Sequence, residues 1–259
     1  VLTEIGAVPF AVSPKGDAVV NANGILFQVA SRTVTPLPNW ESDVEGLLIS
    51  PKGDLLLTQH VSPESQHCVY RLRSLPSGEK RLEFPNQWPG AFAAAIAPDQ
   101  SAAAFLDESR VLREYRLSDG GVLRRYSPAL AQEATAIEYS PNGAFLVVAD
   151  AASNILLFRC DRGELLYRLT NASENSGGPI SALAFSSDGL LLAASDATRI
   201  YIWRIDSGDF LFQSPEGTGS AVHLLFSSDA KTLTAIYDRA EPSKSGPAKF
   251  PAVQTFDAP

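Results

Sequence analysis

The chain has 259 residues, of which 45% are hydrophobic and 19% charged, a composition that is typical of a folded globular protein and excludes a disordered one. The formal net charge of −8 disfavours nucleic acid as the main partner, because phosphate binding depends on concentrated positive charge. The longest apolar run, Ala91–Ala97, is too short to cross a bilayer, so we expect no insertion into a membrane.

One turn motif recurs along the whole chain. Its copies begin with Ser or Ala and mostly end with Gly, and they lie roughly 40 to 45 residues apart, the repeat length of a four-stranded propeller blade. The copies are Ser13–Gly16, Ser50–Gly53, Ala97–Gln100, Ser140–Gly143, Ser186–Gly189 and Ser227–Ala230. The repeat predicts six similar units with approximate limits of 1–38, 39–84, 85–127, 128–170, 171–214 and 215–259.

The fifth unit displays the pattern within a unit most clearly. Apolar runs at Ile180–Phe185, Leu190–Ala194 and Arg199–Ile205 are separated by short turns. Turn residues so close together leave no room for helices of ordinary length, so the runs are predicted to be strands. We therefore expect an all-β fold.

Two further series of residues follow the same repeat. An aromatic residue ends the third strand of each unit, at Phe27, Tyr70, Tyr115, Phe158, Trp203 and Phe256. An Asp precedes that strand at Asp107, Asp150 and Asp196, with Asn21 or Asn23 a weaker match in the first unit and Asp238 in the last. The block Ser186–Trp203 resembles a blade of the WD-repeat β-propeller family, although the Gly-His and Trp-Asp dipeptides typical of that family are absent.

This resemblance implies one β-propeller domain, residues 1–259, of about six four-stranded blades. The sixth unit has room for three strands only, and Val1–Ile5 is a candidate for the missing fourth strand, which would close the ring. The alternative is a seven-bladed or larger ring completed by residues outside this chain.

No motif indicates catalysis. A Gly-x-Ser-x-Gly motif is absent, and Gly217-Thr-Gly219 is not followed by a helix that could bind phosphate. His60, His67 and Cys68 lie close together, but their spacing fits no zinc template. We therefore predict that the chain is not an enzyme and has no catalytic residue, no cofactor and no metal site.

The two cysteines, Cys68 and Cys160, have neither a disulfide framework nor a metal-binding spacing. We expect both to be buried free thiols, which are compatible with a reducing compartment. On this basis we expect an intracellular protein, cytoplasmic or nuclear.

Function is expected in the linkers between the units, two of which carry tryptophan. Trp is enriched at the centres of protein interfaces, and acidic residues in these linkers would suit a basic partner. The predicted protein-binding residues are Trp40, Glu41, Asp43, Trp88, Glu133, Glu174 and Glu216. A purely structural alternative is that each Trp fills the gap between neighbouring blades.

The sequence thus predicts a non-catalytic protein-interaction scaffold that is a propeller domain of a larger protein or a subunit of a multiprotein assembly. Its expected partners are other proteins or basic peptides. The alternative is a small-ligand sensor or enzyme that uses the propeller channel. The first strands of the units would line this channel, and their only ionisable side chains are those of Glu138 and His223. Two such groups are too few to favour an active site.

Overall fold

The computed structural model of the chain describes residues 9–41, 43–61, 68–87, 92–130, 132–169, 178–215, 221–237 and 253–259. These residues form 23 β-strands and no helix. The fold is an all-β propeller with six blades, as the repeat predicts. The chain divides into two compact units, Val1–Arg125 and Tyr126–Pro259, each of which is described by itself.

The first unit contains three sheets, each of four strands. Sheet 1 consists of β1 (Phe10–Val12), β2 (Ala18–Asn21), β3 (Ile25–Gln28) and β4 (Thr33–Pro36). Sheet 2 consists of β5 (Val44–Ile49), β6 (Leu55–Val61), β7 (Cys68–Ser74) and β8 (Lys80–Gln87). Sheet 3 consists of β9 (Ala94–Ile96), β10 (Ala102–Leu106), β11 (Leu112–Arg116) and β12 (Val122–Arg125).

The second unit also contains three sheets. Sheet 4 consists of β13 (Ala134–Tyr139), β14 (Phe145–Asp150), β15 (Ile155–Arg159) and β16 (Glu164–Leu169). Sheet 5 consists of β17 (Ala182–Phe185), β18 (Leu191–Ser195), β19 (Ile200–Arg204) and β20 (Phe210–Gln213). Sheet 6 consists of β21 (Ala221–Phe226), β22 (Thr232–Tyr237) and β23 (Val253–Asp257). In all six sheets the strands pair with their neighbours in chain order.

The serine of the repeated turn closes the connection between the first two strands of a sheet. In sheet 2 the Ser50 hydroxyl accepts a hydrogen bond from the Leu55 N–H at 3.0 Å, and the Gly53 N–H donates to the Ser50 carbonyl at 2.9 Å. Gly53 has φ +82°, a left-handed conformation that glycine adopts without strain. Gln100 and Ala230 take the glycine position in sheets 3 and 6, also with positive φ.

The predicted Asp forms the turn between the second and third strands of a sheet. In sheet 5 Asp196 Oδ1 accepts hydrogen bonds from the N–H groups of Thr198 and Arg199, both at 2.8 Å. Asp107 and Asp150 form the same kind of turn in sheets 3 and 4. In sheet 1 the position belongs to Asn21 rather than Asn23, because the Asn21 side chain accepts from the N–H groups of Asn23 and Ile25.

Neighbouring sheets within each unit share apolar cores. In the first unit one cluster joins sheets 1 and 2 and another joins sheets 2 and 3. In the second unit one cluster joins sheets 4 and 5 and another joins sheets 5 and 6. The predicted aromatic position is buried in sheets 2 to 5 and only partly buried at Phe27 and Phe256, in the first and last sheets.

Some predictions concern residues that the structure does not describe. Val1–Ile5, the candidate for closing the ring, lies outside the described residues. Sheet 6 has three strands within the described residues, and β8 extends to Gln87, beyond the predicted limit of the second unit at residue 84. Both cysteines are buried free thiols, as expected, and burial raises the pKa of Cys68 to about 11.

Trp203 offers a test of the aromatic packing position. It is 1% exposed and contacts Tyr201 and Phe210. We expect Trp203→Ala to lower the free energy of unfolding by about 3–5 kcal/mol, because it leaves a cavity in the core. Leu190→Ala, at a residue that is 55% exposed, is the control and should change it by less than about 0.5 kcal/mol. If urea denaturation shows that both variants lose the same free energy of unfolding, Trp203 does not have the packing role.

Candidate functional site

The predicted binding residues fall into three groups. Trp40, Glu41 and Asp43 lie together in the connection between β4 and β5. Glu133 is exposed and directly precedes β13 in the second unit. Three others, Trp88, Glu174 and Glu216, lie outside the described residues, so the structure places only part of the predicted surface.

Trp40 fixes this connection to sheet 1. Its indole Nε1–H donates a hydrogen bond to the Ala22 carbonyl at 2.7 Å. Its ring covers Gly24, where an added Cβ would come within 2.2 Å of the Trp40 ring. The guanidinium of Arg73 stands 5.4 Å from the ring centroid, within the range of a cation–π contact. Trp40 therefore has the structural contacts expected of a residue between two sheets.

Glu41 is held by two arginines from β7. Its carboxylate forms an ion pair with Arg71 at 3.3 Å and a closer one with Arg73. Arg73 is 2% exposed and also donates to the Gly78 carbonyl at 3.1 Å. A buried guanidinium without a partner would be costly, so Glu41 compensates a charge that the core already contains.

Asp43 forms a hydrogen-bond chain with His60 and Thr58 of β6. The Asp43 carboxylate lies 3.0 Å from His60 Nδ1, and the Thr58 hydroxyl lies 2.8 Å from His60 Nε2. Because a carboxylate only accepts, Nδ1 carries the proton, and the neutral ring accepts from Thr58 through Nε2. Partial burial acts to raise the pKa of Asp43, but the hydrogen bond and charge of His60 lower it overall.

The chain of hydrogen bonds can also accommodate a second proton. If Nε2 were protonated it would donate to Thr58, whose own proton could turn to the Arg71 carbonyl, 3.3 Å away. Burial nevertheless lowers the pKa of His60, with Arg71 acting in the same direction and Asp43 and Glu41 opposing it. The neutral ring is therefore the form that the folded protein favours.

The order Thr–His–Asp has the connectivity of a nucleophile, a base and an orienting acid. Thr58, however, is completely buried, and His60 is 2% exposed, so neither atom of the pair meets solvent or a substrate. The arrangement instead fixes the connection between sheets 1 and 2. Sequence reasoning missed Thr58, Arg71 and Arg73. The contacts that bring them to the linker, His60 with Asp43 and Arg73 with Glu41, span 17 and 32 residues, and no local motif joins them.

Charge compensation changes the character of this part of the predicted surface. Glu41 pairs with Arg71 and Arg73, Arg71 also pairs with Glu83 at 2.9 Å, and Asp43 pairs with His60. The linker thus holds Trp40 and two acidic side chains, and both acids pair with residues of sheet 2.

Glu138 is the ionisable side chain of β13. Its carboxyl group accepts a hydrogen bond from the Phe185 N–H on β17, and burial raises its pKa from 4.5 to about 8. The neutral form of Glu138 is therefore favoured more than that of an ordinary glutamic acid. His223, the other ionisable group predicted for the first strands, is exposed on β21. Within the described ranges no three His, Cys, Asp or Glu side chains are grouped as a metal site would need.

The most accessible apolar surface of the first unit is one face of sheet 1. Its side chains form a row across all four strands, because Val12 pairs with Val19, Val19 with Phe27, and Phe27 with Val34. Phe10 extends the row along β1. We call Phe10, Val12, Val19, Phe27 and Val34 the sheet 1 face.

The sheet 1 face is largely exposed and carries no charge. Phe10 is 56% exposed, Val12 49% and Val34 54%. None of the four strands of sheet 1 contains a charged residue. The opposite side of the same sheet, with Ala11, Val20 and Leu26, is buried against sheet 2.

The middle sheets of the chain have no such surface. All residues of β18, and all residues of β6 except Val61, are buried, although successive side chains point to opposite sides of a strand. In β22 buried positions alternate with partly exposed ones, and in β2 only Val20 and Asn21 are buried. A sheet in the middle of a unit is thus covered on both sides, and sheets 1 and 6 are covered on one.

Comparison of the chain with models of known protein families and with curated proteins gives no match. In the part of the chain that the structure describes, no helix is long and apolar enough to span a membrane.

The His60 chain predicts a pH dependence of stability. Since its pKa is lowered in the folded state, the unfolded chain binds more protons just below the ordinary value of 6.5, and stability should fall as the pH drops through that window. His60→Gln should make the free energy of unfolding less dependent on pH between about 7 and 5. His223→Gln, at an exposed histidine, is the matched control. If both variants keep the wild-type slope in urea titrations, His60 is not the responsible group.

Proposed function

We propose that the chain is a non-catalytic scaffold for protein interaction that works within a larger protein or a multiprotein assembly. This proposal rests on the sheet 1 face, which is exposed and uncharged. Contiguous apolar surface on a folded protein marks sites of protein contact, because its removal from water is favourable by about 25 cal/mol per Å².

The composition of the sheet 1 face also defines the partner. A charged group pressed against Val12, Val19 and Phe27 would lose its water without gaining a counter-ion, which is costly. The partner is therefore a protein that presents an uncharged apolar surface. A basic peptide bound at Trp40, Glu41 and Asp43 is less well supported, because arginines already compensate that region.

A non-catalytic role is supported by the burial of the Thr58–His60–Asp43 chain, which leaves its hydroxyl without access to a substrate. Kinship with WD-repeat propellers belongs to the same proposal. It is supported by the serine and aspartate turns and by the repeated aromatic position, which have the same place in successive sheets.

Adjacent positions on β4 permit a matched test. Val34 lies on the sheet 1 face, whereas Thr35, also exposed, lies on the other side of the strand. We expect Val34→Lys to reduce capture of specific partner proteins by about tenfold or more, a loss of about 1.4 kcal/mol. Thr35→Lys should leave capture unchanged, and both variants should keep the wild-type melting temperature.

The measurement is quantitative affinity capture followed by cross-linking and mass spectrometry. Cross-links from partners should map next to β1 and β4 in the wild-type protein. Equal capture by Val34→Lys and wild type would contradict the proposed role of the sheet 1 face.

A further inference from the structure

A cavity of about 350 Å³ lies between sheets 1 and 2, within the size range of small-molecule sites. It is bordered by the turns that join the first strand to the second, and the third to the fourth, in both sheets. All four turns lie within the described ranges. In the first unit the chain leaves those ranges only at the other end of the two sheets, before Pro9, at residue 42, over 62–67 and over 88–91.

The cavity coincides with a small residue at the start of β2. The Ala18 N–H donates to the Ser13 hydroxyl at 2.9 Å. In sheets 2, 4 and 5 the residue that makes the same bond to the serine of the turn is Leu55, Phe145 or Leu191. Each of these large side chains packs in or against the core that its sheet shares with the next one. Sheet 1 has only a methyl group at this position.

The interior of the cavity is apolar, and its acidic side chains are exposed. Leu26 is 2% exposed, and Ala18 and Leu75 are partly buried. The side chains of Asp17 and Asp54 also line the cavity and are exposed to solvent. An apolar group between the two leucines would be removed from water, which is favourable.

The charges around the cavity favour a cation. None of the ion pairs among the described residues includes Asp17 or Asp54. A hydrogen bond from the Gln100 amide, at 2.7 Å, lowers the pKa of Asp54, so its carboxylate is charged at neutral pH. Lys52 lines the cavity too, but its ammonium group donates to the Asp99 carbonyl at 3.3 Å. Two carboxylates in one cleft attract positive charge.

We propose that this cavity binds a small organic cation, an ammonium group attached to a phenyl or branched aliphatic group. The apolar group lies between Leu26 and Leu75, in the space that Leu or Phe fills in other sheets, and the ammonium group lies beside Asp17. The site is on the side of sheet 1 that faces sheet 2. Binding here is therefore independent of the sheet 1 face.

The probes are three compounds that share a phenyl group and differ in charge, namely 2-phenylethylammonium, 2-phenylethanol and 3-phenylpropionate. When the full chain is titrated with 2-phenylethylammonium, we expect saturable changes in the amide NMR signals of Ala18, Gly53 and Leu75. The cation should bind about fivefold more tightly than the alcohol and about tenfold or more tightly than the propionate, because the carboxylates repel the anion.

Ala18→Leu gives sheet 1 the residue of sheet 2 and should fill the cavity. We expect it to weaken binding of 2-phenylethylammonium about tenfold or more without lowering the melting temperature, because space is available for the side chain. Ala151→Leu, at an exposed alanine, is the matched control and should bind like wild type. If Ala18→Leu lowers the melting temperature, the aspartate variants decide the question.

The double variant Asp17→Asn, Asp54→Asn keeps the shape of the cavity and removes both charges. It should bind 2-phenylethylammonium and 2-phenylethanol with affinities within about twofold of each other. Asp206→Asn, at an exposed aspartate outside the cavity, should keep the wild-type preference for the cation. No binding of 2-phenylethylammonium, equal binding of the three probes, or an unchanged preference in the double variant would each overturn the proposed site.

Discussion

The fold depends on one constraint, which is that a sheet with apolar side chains on both sides must be covered on both sides. Within each unit, neighbouring sheets meet this need by sharing cores such as the one that joins Leu55, Tyr70 and Phe105. β18, in the middle sheet of its unit, is consequently buried throughout, and β6, in the middle sheet of the other, is buried except at Val61. In sheets 1 and 6, side chains such as Val12 and Val253 are about half exposed, and we propose that the surface of sheet 1 contacts another protein.

Much of the fold is predictable because each repeat contains the residues that form its own turns. The hydroxyl of Ser50 and the carboxylate of Asp196 bind backbone N–H groups a few residues later, so the sequence that forms each turn is local. The aromatic position is equally regular, and Trp203 is one copy of a packing residue. Features of this kind can be predicted from the sequence, because residues that are close together in the chain determine them.

The candidate surfaces were less predictable, because they depend on contacts between distant residues. The sequence predicts a protein-binding surface at Trp40, Glu41 and Asp43. It does not reveal that His60, Arg71 and Arg73 pair with the two acids, because these partners lie on strands that follow later in the chain. The sheet 1 face is hidden for another reason. Its apolar strands look like those of buried sheets, and only the tertiary structure distinguishes Val12, which is 49% exposed, from the fully buried Val20.

We propose that the sheet 1 face is open in the isolated chain and covered in its assembly. Carbene footprinting with mass spectrometry measures both states directly. We expect strong labelling of Phe10, Val12 and Val34 in the isolated protein, strong protection of all three in the native assembly, and weak labelling of Val20 in both. If Phe10, Val12 and Val34 are labelled equally in both states, the sheet 1 face is not an interface.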